Sequence, residues 1–289
     1  MRPFVAALVA AIPLGVSLAS STGSAAPQAG LDLTALARQV REALRREYST
    51  PPRFTYVEKR RDVEISKLGK VSVGPLRTFE VYPRLDGDDY KRLIAIDDKP
   101  LDPAELARRD EEHRRNEQRR EERERSESPQ RRAERLRRIA EEARERDAIL
   151  DDAAAVYELR YAGRETIAGD GVLVVALHPR PHVRVTTREG EWMKLSEGRM
   201  WVAENGHHVA RLRIHAVDDL SIGWGVVARV DPGSGFDYIR KRIGDTWVPL
   251  ELAIEGSGRT LLFRRFQVKT VTTYSDHRPQ NGTTRSGSQ

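Results

Sequence analysis

The sequence predicts a mainly β (α+β) fold: a curved antiparallel meander sheet, an N-terminal helix placed against it, and a charged helical insertion in its middle. Apolar and polar residues alternate with period two along two blocks of chain, from Phe54 to Asp97 and from Val156 to Tyr274. Short clusters of Gly, Pro, Asp and Asn punctuate those blocks, as hairpin turns do. A period of 3.6 is confined to the segment after residue 30 and the segment between the two blocks.

The elements follow in order. Arg2 and the apolar run from Phe4 to Ala19, broken by Pro13 and Gly15, lead into small residues. This is the pattern of a secretory signal peptide, and residues 1–25 are assigned to it, with cleavage after Ala19 or Ala25. The run is short for a membrane span, which needs about 20 apolar residues, so cleaved export to the periplasm is favoured over anchoring. Leu31 to Arg46 reads as an amphipathic helix with Asp32 as N-cap; Leu33, Leu36, Val40 and Leu44 share one face.

Strands are then expected over Phe54 to Ile65, Lys70 to Val73, Arg77 to Tyr82 and Tyr90 to Asp97. Asp102-Pro103 starts a helix with a cap and a Pro at its first position, and Ser128-Pro129 restarts one. Between Glu105 and Ala148 there are 15 Arg and 14 acidic residues, so the insertion (103–148) is nearly neutral. That balance favours a solvated helical excursion held by i to i+4 pairs over a nucleic-acid or partner-binding arm. The second block supplies expected strands over Val156 to Ala162, Gly171 to His178, Arg184 to Thr187, Arg199 to Glu204, His207 to Val217, Ile222 to Val230, Phe236 to Ile243, Thr246 to Glu255 and Thr260 to Tyr274. Asn205-Gly206 is the strongest hairpin signal, a two-residue type I′ turn that would pair Trp201 with Ala210. Asp231 to Gly235 and Gly256 to Gly258 are read as further turns, and residues 279–289 as a disordered tail. The folded domain thus spans 31–278.

Composition narrows the chemistry. With no Cys in 289 residues, a disulfide scaffold, a Cys-ligated metal and a Cys nucleophile are excluded. A net charge of +6 is spread along the chain, so nucleic acid is not expected as a partner. His178 and His182 are separated by prolines that preclude a shared helix face, and His207-His208 would point to opposite sides of a strand; no metal site and no cofactor motif are expected. Ser275-Asp276-His277 contains the residue types of a hydrolase triad, but chain neighbours cannot form the relay. The candidate site is instead a surface: Trp201, Leu212, Ile214, Trp224, Leu250, Leu252, Leu262 and Phe266 would line a half-open barrel able to hold an acyl chain. A dozen methylenes at about 0.8 kcal/mol each would contribute roughly 10 kcal/mol gross. The alternative is that these residues simply pack against the first helix.

Gly198-Arg-Met-Trp-Val-Ala203, Val209-Ala-Arg-Leu212, Gly223-Trp-Gly225, Trp247-Val-Pro-Leu250, Arg259-Thr-Leu-Leu-Phe263 and Tyr274-Ser-Asp-His-Arg278, with Tyr56-Val-Glu-Lys59 and Asp98-Lys-Pro-Leu101, resemble the LolA/LolB-like outer-membrane lipoprotein carrier superfamily. The resemblance covers most of residues 31–278 and rests on diffuse patterns. It implies an unclosed antiparallel β-barrel, a half-barrel, with helices on its concave face and a cavity for lipid or lipoprotein acyl chains. It also implies a non-enzymatic periplasmic carrier as the first reading, peripheral contact with a membrane, and an envelope stress-sensing or scaffold protein that binds a protein partner as the alternative; an exported hydrolase ranks third. The charged insertion departs from the compact carriers.

Overall fold

The computed structural model describes residues 31–50, 54–66, 70–84, 89–222, 228–260 and 264–280. The expected signal peptide, Trp224, Leu262 and residues 281–289 lie outside them. Helix α1 (Leu33–Ser49) opens the fold, with the Asp32 carboxylate accepting from the backbone N–H groups of Thr34 and Ala35 at 2.9 Å. Strands β1 (Phe54–Ile65), β2 (Val71–Tyr82), β3 (Tyr90–Ile96) and β4 (Lys99–Pro100) follow, then helices α2 (Pro103–Arg125) and α3 (Pro129–Val156). The second block forms β5 (Tyr157–Ile167), β6 (Asp170–Pro179), the short helix α4 (Arg188–Met193), β7 (Ser196–Ala203), β8 (Val209–Ala216), β9 (Leu220–Ile222), β10 (Ala228–Val230), β11 (Gly235–Ile243), β12 (Thr246–Thr260) and β13 (Arg264–Pro279).

These strands make one antiparallel sheet in the order β4-β3-β2-β1-β13-β12-β11-β8-β7-β6-β5, with the β9-β10 pair attached to β12. The edge strands β4 and β5 do not meet, so the barrel is unclosed. The chain's two β blocks are joined where β1 pairs with β13, from Phe54↔Pro279 to Lys59↔Thr273. Helices α2 and α3 carry the chain from one sheet edge to the other. No described helix is long and apolar enough to cross a membrane.

Several boundaries differ from expectation for identifiable reasons. The two stretches read as Lys70 to Val73 and Arg77 to Tyr82 are one strand, because Gly74-Pro75 is absorbed in a bulge opposite Asp62. Arg184 to Thr187 is not a strand: the Thr187 hydroxyl caps α4 by accepting from Gly190 N–H at 2.9 Å. The expected strand Ile222 to Val230 is two, since Ala228 pairs back on Ile222. Gly256-Ser-Gly258 is not a turn but part of β12; a Cβ at Gly258 would lie 2.1 Å from the Arg229 carbonyl oxygen, so glycine there lets β10 approach. Helix α3 runs past Ala148 to Val156 because Ile149, Asp152 and Val156 share a buried face.

The charged helices are not wholly solvated. Helix α2 buries no residue, but its face at Asp110, His113 and Glu117 lies on β3. His113 stacks on Tyr90 with centroids 3.3 Å apart, Arg92 grips Asp110 through two 2.7 Å hydrogen bonds, and Arg84 pairs with Glu117 at 2.6 Å. The first half of α3 stands in solvent, exposing Leu136 and Ile139.

Candidate functional site

Helix α1 presents Leu36, Val40, Ala43 and Leu44 to the sheet, the i, i+4, i+8 face of an otherwise charged helix. Leu36, Val40 and Leu44 pack on Leu173, Val175, Val202 and Val209. The end of α3 and helix α4 form a second contact, with Ile149, Val156, Tyr157, Leu177 and Met193 buried together. Between these two contacts the sheet is left uncovered, and a cavity of about 490 Å³ remains. That is within the range of about 300–1,000 Å³ usual for small-molecule sites. Its floor is Leu159, Leu177, Met200, Leu212, Ile214 and Phe236; its roof is Leu33, Ala37 and Val40 of α1 with Leu150 and Ala153 of α3.

The few neutral polar groups on the wall include a pair satisfied internally. The Tyr157 hydroxyl and Ser196 Oγ are 2.8 Å apart, and Ser196 Oγ also donates to the Met193 carbonyl at 3.2 Å. Burial pushes the Tyr157 phenol up to about 12, so it is neutral at physiological pH. Such a wall can bind by exclusion of water from apolar surface.

Two carboxylates, Glu47 half-buried and Asp152 buried, hold the roof in place. Glu47, in the last turn of α1, meets His208 Nδ1 at 2.5 Å and Arg240 Nη2 at 2.9 Å. Arg240 also donates to the Val209 and Trp247 carbonyls at 3.1 and 2.9 Å. Burial raises the Glu47 pKa, but the hydrogen bond from His208 and the charge of Arg240 outweigh it, and the carboxyl titrates below its ordinary range. On α3, Asp152 accepts from the backbone N–H and the hydroxyl of both Thr186 and Thr187, the shortest contact being 2.6 Å. Burial acts against its charge, yet these donors lower its pKa as well. Gly190 permits this contact, since a Cβ there would sit 2.5 Å from Asp152 Oδ2.

The structure distributes the eight expected lining residues unevenly. Leu212 and Ile214 are on the cavity floor. Leu252 is on the same side of the sheet but buried in the neighbouring cluster with Tyr56, Val81, Phe236, Tyr238 and Tyr274, away from the cavity wall. Trp201 faces the opposite side. The hairpin after β7 is not a two-residue type I′ turn; positive φ falls at Gly206 and His207, and Val202 pairs with Val209 while Trp201 pairs with Arg211. Ala210 is the extra residue of a bulge, which shifts the register by one and puts Met200, not Trp201, beside Leu212. Trp201 packs with Val174 and Trp247, its Nε1–H donates to Glu165 at 2.8 Å, and Arg211 lies over its ring.

Leu250 is likewise a bulge residue, opposite Ile239 and Arg240, and is not on the cavity wall. Phe266 is half-buried across from Gly258 and is also absent from that wall. Met200, Phe236, Leu159 and Leu177 were missed as lining. All four sit in segments readable as strands, and the alternation of Leu159 with Tyr161 and of Leu173, Val175 and Leu177 was available as a signal.

Ser275, Asp276 and His277 are not arranged as a relay. Ser275 Oγ donates to Asp276 at 3.2 Å on an exposed strand, where Asp276 takes a positive φ of 49°. No group of three His, Asp or Glu able to hold a metal occurs among the described residues. His207 lies in the hairpin turn, whereas His208 is engaged with Glu47.

No family model and no curated protein matches the chain. Several solved structures align along most of its length. A DUF1329 family protein from Desulfovibrio piger is 11% identical and covers 86% of this chain and 93% of its own, with a TM-score of 0.29. An outer membrane lipoprotein-sorting protein domain from Vibrio parahaemolyticus is 10% identical over 85% of this chain and 94% of its own, at 0.30. The MucA/MucB complex from Pseudomonas aeruginosa gives 12% identity over 86% and 99%, at 0.26. Similarity at these scores assigns no role to any residue, so function must be read from the cavity itself.

Proposed function

We propose that this chain is a periplasmic binding protein that holds the acyl chain of a lipid or lipidated protein between α1 and the open sheet. The observation that carries the proposal is the gap in the core. Helix α1 and helix α4 each pack tightly on the sheet, yet Met200, Leu212, Ile214 and Phe236 between them face a cavity of about 490 Å³. Protein interiors close voids of this size unless a ligand or solvent fills them, and an apolar wall favours the ligand. Hydrophobic burial alone then supplies affinity, and no catalytic group is required.

Native mass spectrometry of protein exported to the periplasm, followed by lipid extraction, tests the proposal. A stoichiometric acyl-bearing adduct is expected, lost on Leu212→Asp. Because a buried Asp can also unfold the chain, Leu212→Trp provides the second variant: it fills the cavity with apolar atoms and should abolish uptake while thermal unfolding stays cooperative. An apo mass with no uptake of offered lipid would overturn the reading in favour of a protein-binding scaffold.

A further inference from the structure

The charged groups on the cavity wall are unevenly signed. Arg38 and Arg41 of α1, Arg146 of α3 and Arg180 after β6 contribute to it, against Glu158 and Glu189. Some of these charges are already committed. Arg180 donates to the carbonyls of Ala155 at 2.7 Å and Ala154 at 3.2 Å, capping the last turn of α3. Glu158 accepts from Arg160 at 3.0 Å.

Three arginines remain near the seam between α1 and α3. Arg38 has no ion pair among the described residues. Arg146 lies over the Tyr48 ring, 5.8 Å from its centroid, a contact that leaves its donors available. Arg41 reaches Asp151 through Nη2 and lines the cavity wall. Arg38 and Arg41 are three residues apart, so both project from one face of α1. The Arg41–Asp151 and Arg45–Asp147 pairs run from α1 to α3 and bring Arg146 to the same seam. Asp151 is more than half exposed, so an incoming anion can replace it on Arg41 at little cost.

We infer that the ligand is an amphiphile with an anionic head group, a carboxylate or a phosphate, held at the seam by Arg38, Arg41 and Arg146, with its acyl chain running beneath α1 to Met200 and Leu212. This rests on the acyl-binding reading above. It adds a polar selectivity which the apolar cavity alone would not have. Arg41 is the residue that distinguishes the two, because it lies on the cavity wall while its partner Asp151 is more than half exposed.

The test is displacement of the neutral apolar dye Nile red from the delipidated protein by dodecanoate, dodecyl phosphate and dodecanol, with acetate and inorganic phosphate offered alone. Both anionic amphiphiles should displace the dye at concentrations about tenfold or more below dodecanol, since a charge-assisted hydrogen bond to a desolvated donor gives a gain of that order. A preference for one of the two anions names the source of the head group. Arg41→Gln with Arg38→Gln should bring the acid-to-alcohol ratio toward one, and Arg41→Lys, which keeps the charge but loses the planar guanidinium, should fall between. Circular dichroism confirms that each variant is folded. Equal displacement by dodecanoate and dodecanol would overturn the head-group inference and leave the acyl cavity standing. No displacement by any dodecyl compound would overturn both. Displacement by acetate or phosphate alone, at the concentrations where dodecanoate acts, would replace the amphiphile by a small anion.

Discussion

Glu47→Gln should weaken the whole fold through one buried cation. The Arg240 side chain is only 6% exposed and its guanidinium is held by the Glu47 carboxylate and two main-chain carbonyls. Removing one partner of a buried ion pair costs about 3–5 kcal/mol, because the other charge stays desolvated. Glu47 is a quarter exposed and the two carbonyls remain on Arg240, so a cost below that range, about 2–3 kcal/mol, is expected. For a chain of this size that corresponds to a fall in Tm of roughly 4–12 °C. Urea unfolding at pH 7 measures it. The double variant Glu47→Leu with Arg240→Met removes both charges and should recover most of the loss. The sign of the pH dependence is set by the lowered carboxyl pKa. The stability contributed by Glu47 is fully present above the ordinary carboxylate range and is lost as pH falls through its folded-state value, so wild type and Glu47→Gln should converge in acid. A loss below about 1 kcal/mol at neutral pH, or a gap that widens in acid, would refute the argument.

The remaining predictions concern the other supports and the cavity. Asp152 and Asp237, the latter gripped by Arg211 and Arg213, also have folded-state pKa values below their ordinary range despite burial. Their contributions should likewise vanish as pH falls below about 4, and Asp152→Asn or Asp237→Asn should flatten the acid limb of a urea-midpoint profile. Gly190→Ala should destabilise by about 1–3 kcal/mol, since the new methyl would lie 2.5 Å from Asp152 Oδ2 and 2.8 Å from Val185 Cβ; unchanged thermal unfolding would show that α4 can shift freely. Trp201→Phe should cost on the order of 1 kcal/mol for the lost bond to Glu165 and leave lipid uptake unaltered, whereas Leu212→Trp should abolish uptake. Loss of uptake in Trp201→Phe would place the ligand on the wrong face of the sheet.

Some of the candidate site was legible because it depends on local periodicity. Alternation puts Leu212 and Ile214 on one face of their strand, and both line the cavity, because that alternation survives whatever the strand pairs with. Trp201 was misplaced by alternation combined with an assumed turn, because a single bulge residue at Ala210 reverses the face of everything beyond it. The same holds for Leu250. The docking of α2 was missed for another reason: Asp110, His113 and Glu117 form a stripe at four- and three-residue spacing, but the stripe is polar, so a search for apolar faces passes over it.

What the sequence determined by itself is what short-range physics controls. The caps at Asp32, Asp102 and Ser128 start the three long helices where the side chains demand it, and β1 begins and ends where its alternation does. The tertiary structure alone decided which strands are neighbours. The join of β1 to β13 brings together residues more than two hundred positions apart, and nothing in either strand names the other. It also decided that the core is incomplete. A cavity is the space that α1, α3 and α4 leave unfilled over the sheet, and it exists only once the three helices and the sheet are in place.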